Sequence, residues 1–185
     1  MGIIMATLLS LKTRQKYFEE LGLGEYNEKN VLKLQKKYFK SDKEHDGKYG
    51  KNTDTLLYNL YQIKKCAPHF SIEEFRCHCG GKYCTGWHTR LSTQLLKNLE
   101  AMRNHFGCAI RISSPLRCPQ WNKLQTGSVS NSKHTQGKAV DIYGTPTNSA
   151  AKRAKVKSFW YSLKGANYCY YGTKNMGTSV HCDVK

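Results

Sequence analysis

The sequence predicts a small helical bundle followed by an α+β domain, and three observations predict it. Apolar residues recur at helical spacing through the first third of the chain. A proline and a stretch rich in cysteine and glycine then change the composition, and beyond them helical seams alternate with short runs of period-two apolar residues. The boundary falls between residues 64 and 65, giving domains of 1–64 and 65–185. With 185 residues, 39% of them hydrophobic and 23% charged, both parts have apolar side chains enough for a core.

In the first part, TRQKYFEELGLG reads as a helix that Thr13 caps and Gly22 ends. In EKNVLKLQKKYF, the residues Val31, Leu34, Tyr38 and Phe39 form one apolar stripe. SDKEHDGKYGKN supplies turn residues at Asp46-Gly47 and Gly50, after which TDTLLYNLY resumes a helix with Leu56, Leu57, Leu60 and Tyr61 on one face. The link from Lys64 to Ser71 contains Pro68. A helix from Ser92 or Thr93 to Phe106 follows, with Leu95, Leu99, Met102 and Phe106 as its seam and Gly107 as its stop. Cys108, Ile110 and Ile112 alternate as in a strand, and KAVDIY places Val140 and Ile142 opposite Ala139, Asp141 and Tyr143. Residues 149–163 form a basic helix that turns Phe159, Trp160 and Leu163 inward. The final SVHCDVK sets Val180, Cys182 and Val184 on one face and His181 and Asp183 on the other.

The formal charge of +17 is uneven, +4 over residues 1–64 and +13 over residues 65–185. Such a field attracts polyanions, whether nucleic acid, anionic lipid or an acidic wall polymer. No helix-turn-helix, zinc-finger or RNA-binding signature accompanies it, so nucleic acid is not the expected partner. No apolar run approaches the ~18 residues of a membrane span, and no membrane partner is expected. The start, MGIIMATLLSLKTR, reads as a poor signal peptide, from which synthesis in the cytoplasm is expected. The eight cysteines are accordingly expected to be mostly reduced.

Three stretches of the second part carry polar residues that look expensive for structure alone: SSPLRCPQWN with Arg117, SNSKHTQGKAVDIY with His134 and Asp141, and SVHCDVK with His181 and Asp183. Two imidazoles and a carboxylate are a normal zinc set, leaving a fourth position for water or substrate. Gly137 permits a turn that brings His134 towards Asp141, while His181 arrives from another strand. The cluster Cys77, His78, Cys79, Cys84 and His88 offers a second, structural zinc as an alternative, with Cys77, Cys79 and Cys84 its thiols, but C-x-C-x4-C departs from the usual C-x2-C pair. The favoured reading there is a glycine-rich turn with reduced thiols.

Two resemblances sharpen this reading. Leu34, Gln35, Asp46, Gly47, Tyr49, Gly50 and Thr53 make the segment from about residue 10 to 64 resemble the three-helix peptidoglycan-binding domain of wall hydrolases, in which these residues build a loop. Ser132, His134, Gly137, Ala139 and Asp141, followed by V-H-x-D-V, make residues 70–185 resemble the zinc D-Ala-D-Ala carboxypeptidases and L-alanyl-D-glutamate endopeptidases of the M15 peptidases. That second resemblance implies a peptidase domain of the hedgehog/DD-peptidase type. It carries His134, Asp141 and His181 to the zinc ligands, and Arg117 to an arginine that binds substrate and offsets charge on the carbonyl oxygen. Ser132, within the same motif, is the other expected substrate-binding residue.

Branches of the family place a Glu or His two or three residues before the last zinc histidine, where this chain has Ser179 and Thr178. Asp183 is then the expected general base, with a role in orienting His181 as the alternative. The layout resembles a phage endolysin that is made in the host cytoplasm and reaches the wall after release, a monomer with bacterial peptidoglycan as its partner. A non-catalytic, metal-containing wall-binding protein is the competing class.

Overall fold

In a computed structural model, residues 7–185 are described; residues 1–6, which begin the stretch read as a poor signal peptide, lie outside them. Three helices come first: α1 (Leu11–Glu20), α2 (Glu28–Tyr38) and α3 (Lys51–Cys66). Ser10, not Thr13, caps α1: its Oγ accepts from the Thr13 backbone N–H at 3.2 Å, which places Thr13 one turn inside the helix. Asn27 caps α2 in the same way, and α2 buries Val31 and Leu34 as its stripe requires.

The loop before α3 is organised by a buried amide. Gln35 Nε2 donates to Asp46 Oδ1, the Lys48 carbonyl and Thr53 Oγ1, while its Oε1 accepts from Gly47 N–H at 2.8 Å. Gly47 sits at φ +71°, in the left-handed region that favours glycine. Gln35, Asp46, Gly47 and Thr53 therefore serve the loop itself. Gln35→Leu would strand the Gly47 donor away from water. A loss of about 2 kcal/mol is expected, read as a melting temperature lowered by about 4–8 °C.

The second part contains α4 (Thr93–Phe106), β1 (Ile110–Ser114), the one-turn α5 (Pro119–Lys123), β2 (Ala139–Gly144), α6 (Ala150–Ser162), β3 (Ala166–Tyr171) and β4 (Val180–Val184). Ser92 caps α4 and Gly107 ends it at φ +58°, as its seam and flanking residues foretell. The four strands form an antiparallel sheet in the order β1-β2-β4-β3. Helix α6 packs on β3 and β4, and the Trp160 indole donates to the Asp183 carbonyl at 3.1 Å. The architecture is α+β.

Register decides which face carries chemistry. Val140 pairs with Cys182 and Ile142 with Val180, all four fully buried. The alternate positions pair Asp141 with His181 and Ala139 with Asp183 on the opposite face. One apolar core runs from Phe18 through α3, α4 and the sheet to Val184. Polar ties cross from α3 to the second part: Asn59 Oδ1 accepts from Leu91 N–H at 2.8 Å, and Arg90 Nη2 meets Asp54 Oδ2 at 2.6 Å. No helix among the described residues is long and apolar enough to cross a membrane.

Candidate metal centre

The cross-strand pair Asp141 and His181 sits at the middle of the sheet, on neighbouring strands. His134 comes from the loop ahead of β2, and that loop is braced from below. Gly137, at φ +69°, lies so close to the Arg90 carbonyl that a Cβ would stand 2.4 Å from its oxygen. Ser92 N–H donates to the Gly137 carbonyl, and His88 Nε2 to the Thr135 carbonyl, both at 2.8 Å. Above, Arg117 N–H donates to the His134 carbonyl. The turn that Gly137 was expected to permit is thus clamped on both sides.

The hydrogen bonds assign each imidazole's free nitrogen. A carbonyl can only accept, so the 2.9 Å contact between His134 Nδ1 and Pro115 O places the proton on Nδ1 and leaves the Nε2 lone pair open. Likewise His181 Nε2 donates to Asp183 Oδ2 at 3.0 Å, turning Nδ1 inward. Around the resulting point, His181 Nδ1 lies 2.8 Å from Asp141 Oδ1 and 3.3 Å from His134 Nε2, and His134 Nε2 lies 3.5 Å from Asp141 Oδ1. The structure brings together the three residues expected as ligands, their ligand atoms all within 4.8 Å of one another. Two nitrogens and one carboxylate oxygen with their partners fixed behind them fit a zinc ion.

Protonation follows from the same contacts. Burial pushes His134 down, keeping it neutral. Burial would raise Asp141, but its contacts with His134 and His181 outweigh it and hold the carboxyl well below its usual range. Burial opposes charge on His181, yet Asp141 and Asp183 prevail and raise it to about 9. The metal-free protein therefore gains stability from the His181 cation below about pH 6.5 and loses it as pH rises through about 9. A metal must displace that proton. Zinc affinity at this centre is expected to rise about tenfold per pH unit from pH 7 towards 9, with one proton released from His181 as its ion binds, measurable by calorimetry in buffers of different ionisation enthalpy.

Arg117 lies beside the ligands. Its Nε and Nη2 donate to Ser114 Oγ at 2.9 and 2.7 Å, and Nη2 reaches Asp141 Oδ2 at 3.1 Å. A bulge between Ile112 and Ser114 puts Ser114 opposite Asp141 and so within reach of the guanidinium. Ser132 Oγ accepts from His134 N–H at 3.3 Å, and the residue lines the cleft as well. The cleft above the centre has a volume of about 1390 Å³, and Lys133, Lys174 and Trp121 are among its walls.

Asp183 stands differently from the expectation of a base. Its Oδ2 accepts from His181 Nε2, and its Oδ1 accepts from Asn167 Nδ2 and from Tyr168 N–H, both at 2.9 Å. Both oxygens are engaged, and the carboxylate meets the ring nitrogen that faces away from the ligand point. This geometry favours orienting His181 over taking a proton from water. Two features escaped the sequence reading. Tyr170 stacks on the His181 ring at 4.6 Å between centroids, and Ser113 and Ser179 share a 2.8 Å hydroxyl contact at the cleft wall. Tyr170 belongs to β3; recognising NYCYY as the strand paired with SVHCDV would have found it.

A family model described as Peptidase M15 matches residues 68–183. No curated protein and no solved structure matches the chain. The match spans the metal-ligand candidates, Arg117, α4 to α6 and the sheet up to Asp183 of β4, and the chain belongs to the peptidase M15 family.

Proposed function

We propose that this chain is a zinc-dependent hydrolase of bacterial peptidoglycan that cuts the stem peptide, as a DD-carboxypeptidase or an L-Ala-D-Glu endopeptidase. The observation that carries the reading is the convergence of His134 Nε2, Asp141 Oδ1 and His181 Nδ1 at the floor of an open cleft, with a guanidinium beside them. Bound there, zinc would supply a Lewis acid for the scissile carbonyl and an activated water near neutral pH. His134, Asp141 and His181 are its ligands in this reading. Arg117, anchored on Ser114, would face the developing oxyanion with a charge already in place. Lys133 and Lys174 on the cleft walls favour a substrate rich in carboxylates, as stem peptides are. The first three helices would hold the enzyme on the wall and raise its local concentration there. An endolysin-like route, with release from the host cytoplasm, agrees with that division of labour.

Asp183 acts on the metal site through His181 in this scheme. Asp183→Asn is expected to weaken zinc binding about 10–100-fold, and excess zinc is expected to restore most of the rate. A rate that stays low at saturating zinc would return Asp183 to the role of base. One observation favours a second reading, a wall-binding protein with a silent metal site: the positions two and three before His181 are Ser179 and Thr178, neither of which titrates near neutrality. Mass spectrometry of peptides released from purified peptidoglycan, with zinc and with chelator, separates the two. New termini that vanish on chelation support the peptidase and identify the bond; walls unchanged across several chemotypes would leave the silent site standing.

A further inference from the structure

A second group of metal-binding side chains lies outside the centre. Cys77, Cys79, Cys84 and Cys118 bring their four sulfurs within 4.8 Å of one another, and none forms a disulfide. Three come from one turn-rich loop, and Cys118 joins them from 34 residues further along, at the N-cap of α5. That fourth residue is what the C-x-C-x4-C spacing lacked. We propose that Cys77, Cys79, Cys84 and Cys118 bind a structural zinc ion as four thiolates, a site separate from the His134, Asp141 and His181 centre.

Geometry supports it first. Zinc–sulfur bonds of about 2.3 Å in a tetrahedron put the sulfurs about 3.8 Å apart; Cys79 Sγ and Cys84 Sγ are 3.6 Å apart. Two disulfides would require only two close pairs, with no reason for each sulfur to neighbour the other three. Backbone donors also point at the sulfurs: Cys118 N–H to Cys77 Sγ at 3.3 Å and Gly86 N–H to Cys84 Sγ at 3.4 Å. Such donors stabilise negative charge on sulfur.

The fold supplies the need for a tie. Between the short 3-10 turn at Ile72–Phe75 and α4, the chain makes no regular element. Its buried cysteines form a small cluster of their own with Cys118, apart from the main core, with Tyr83, Cys84 and Trp121 against it. A loop of this length without secondary structure is uncommon unless something fixes it. Four soft sulfur ligands select zinc over magnesium or calcium. The ion would also pin Cys118, and with it the neighbouring Arg117, to the loop whose His78 lines the substrate cleft. The inference does not rest on the peptidase reading.

The test is elemental analysis of the full chain purified under reductant and without chelator. Two zinc ions per chain are expected in the wild type, one in His134→Ala/His181→Ala, and one in Cys79→Ser/Cys84→Ser. Should the cysteine variant fail to fold, cobalt replacement in the wild type still decides. The first centre has no sulfur, so intense thiolate-to-cobalt charge-transfer absorption in the near ultraviolet reports the cysteines alone. The proposal is overturned by iron in place of zinc, by an absence of thiolate-to-cobalt bands, or by an intact mass lighter by two hydrogens for each of two disulfides. Two zinc ions in a protein that leaves peptidoglycan uncut would sink the peptidase reading and sustain this one.

Discussion

His134→Ala is expected to lose one zinc ion and to slow cleavage of stem peptides by about a thousandfold or more. A zinc ion held there would supply Lewis acidity, a general contribution of several kcal/mol to such transition states, and each 1.36 kcal/mol is about tenfold in rate. His134 is the apt position because it is buried, neutral and held through Pro115, so its removal deletes a ligand without stranding a charge. The alanine leaves the Pro115 carbonyl without its donor, a cost of about 1–3 kcal/mol that a thermal melt can register. Zinc content by equilibrium dialysis and rates on isolated muropeptides, taken on protein shown to be folded, check the prediction. A variant that keeps its full metal complement would remove His134 from the ligand set.

Arg117→Met is the companion expectation, with the opposite metal signature. The chain would keep its zinc, while kcat would fall about 100–1000-fold, the usual effect of deleting one preorganised oxyanion donor. Methionine retains much of the side-chain volume and discards the charge. Arg117→Lys should recover little, because an ammonium cannot both meet Ser114 Oγ twice, as Nε and Nη2 do, and reach Asp141 Oδ2. Steady-state kinetics with parallel metal analysis separate the roles. If zinc is lost along with the rate, the guanidinium chiefly holds Asp141 in place.

The metal-ligand candidates were legible because their spacing is local in part: Gly137 lies three positions after His134 and Asp141 four positions further on, with alternation in SVHCDVK setting His181 on the matching face. The α4 seam and its glycine stop were equally plain, since a capped amphipathic helix states its own boundaries. The strand β3 was not legible. Its pairing with β4 shifts register between Ala166 and Cys169, and its side chains vary from buried Cys169 to exposed Tyr168, so no clean alternation survives. Cys118 went unread for a different reason. Chain closure over 34 residues depends on where α4, β1 and the loop pack, and spacing rules for metal ligands do not extend that far. The position of Asp183 on one face of β4 was readable, but the engagement of its Oδ1 depends on Asn167 and Tyr168 in the unrecognised strand.

The braces around Gly137 bear on how such a protein can be rearranged. Arg90 packs its carbonyl against Gly137 in the turn that carries His134 and gives its guanidinium to Asp54 of α3, while Asn59 of the same helix holds the backbone at Thr89 and Leu91. A chimera joined at residue 65, with a foreign segment in place of the first three helices, would inherit the ligand candidates but not the abutment they lean on. The polar ends left at Arg90 and Leu91 would have to find water, and the loop holding His134 would be set by fewer contacts. An added segment is therefore better appended ahead of α1 than exchanged for the first three helices.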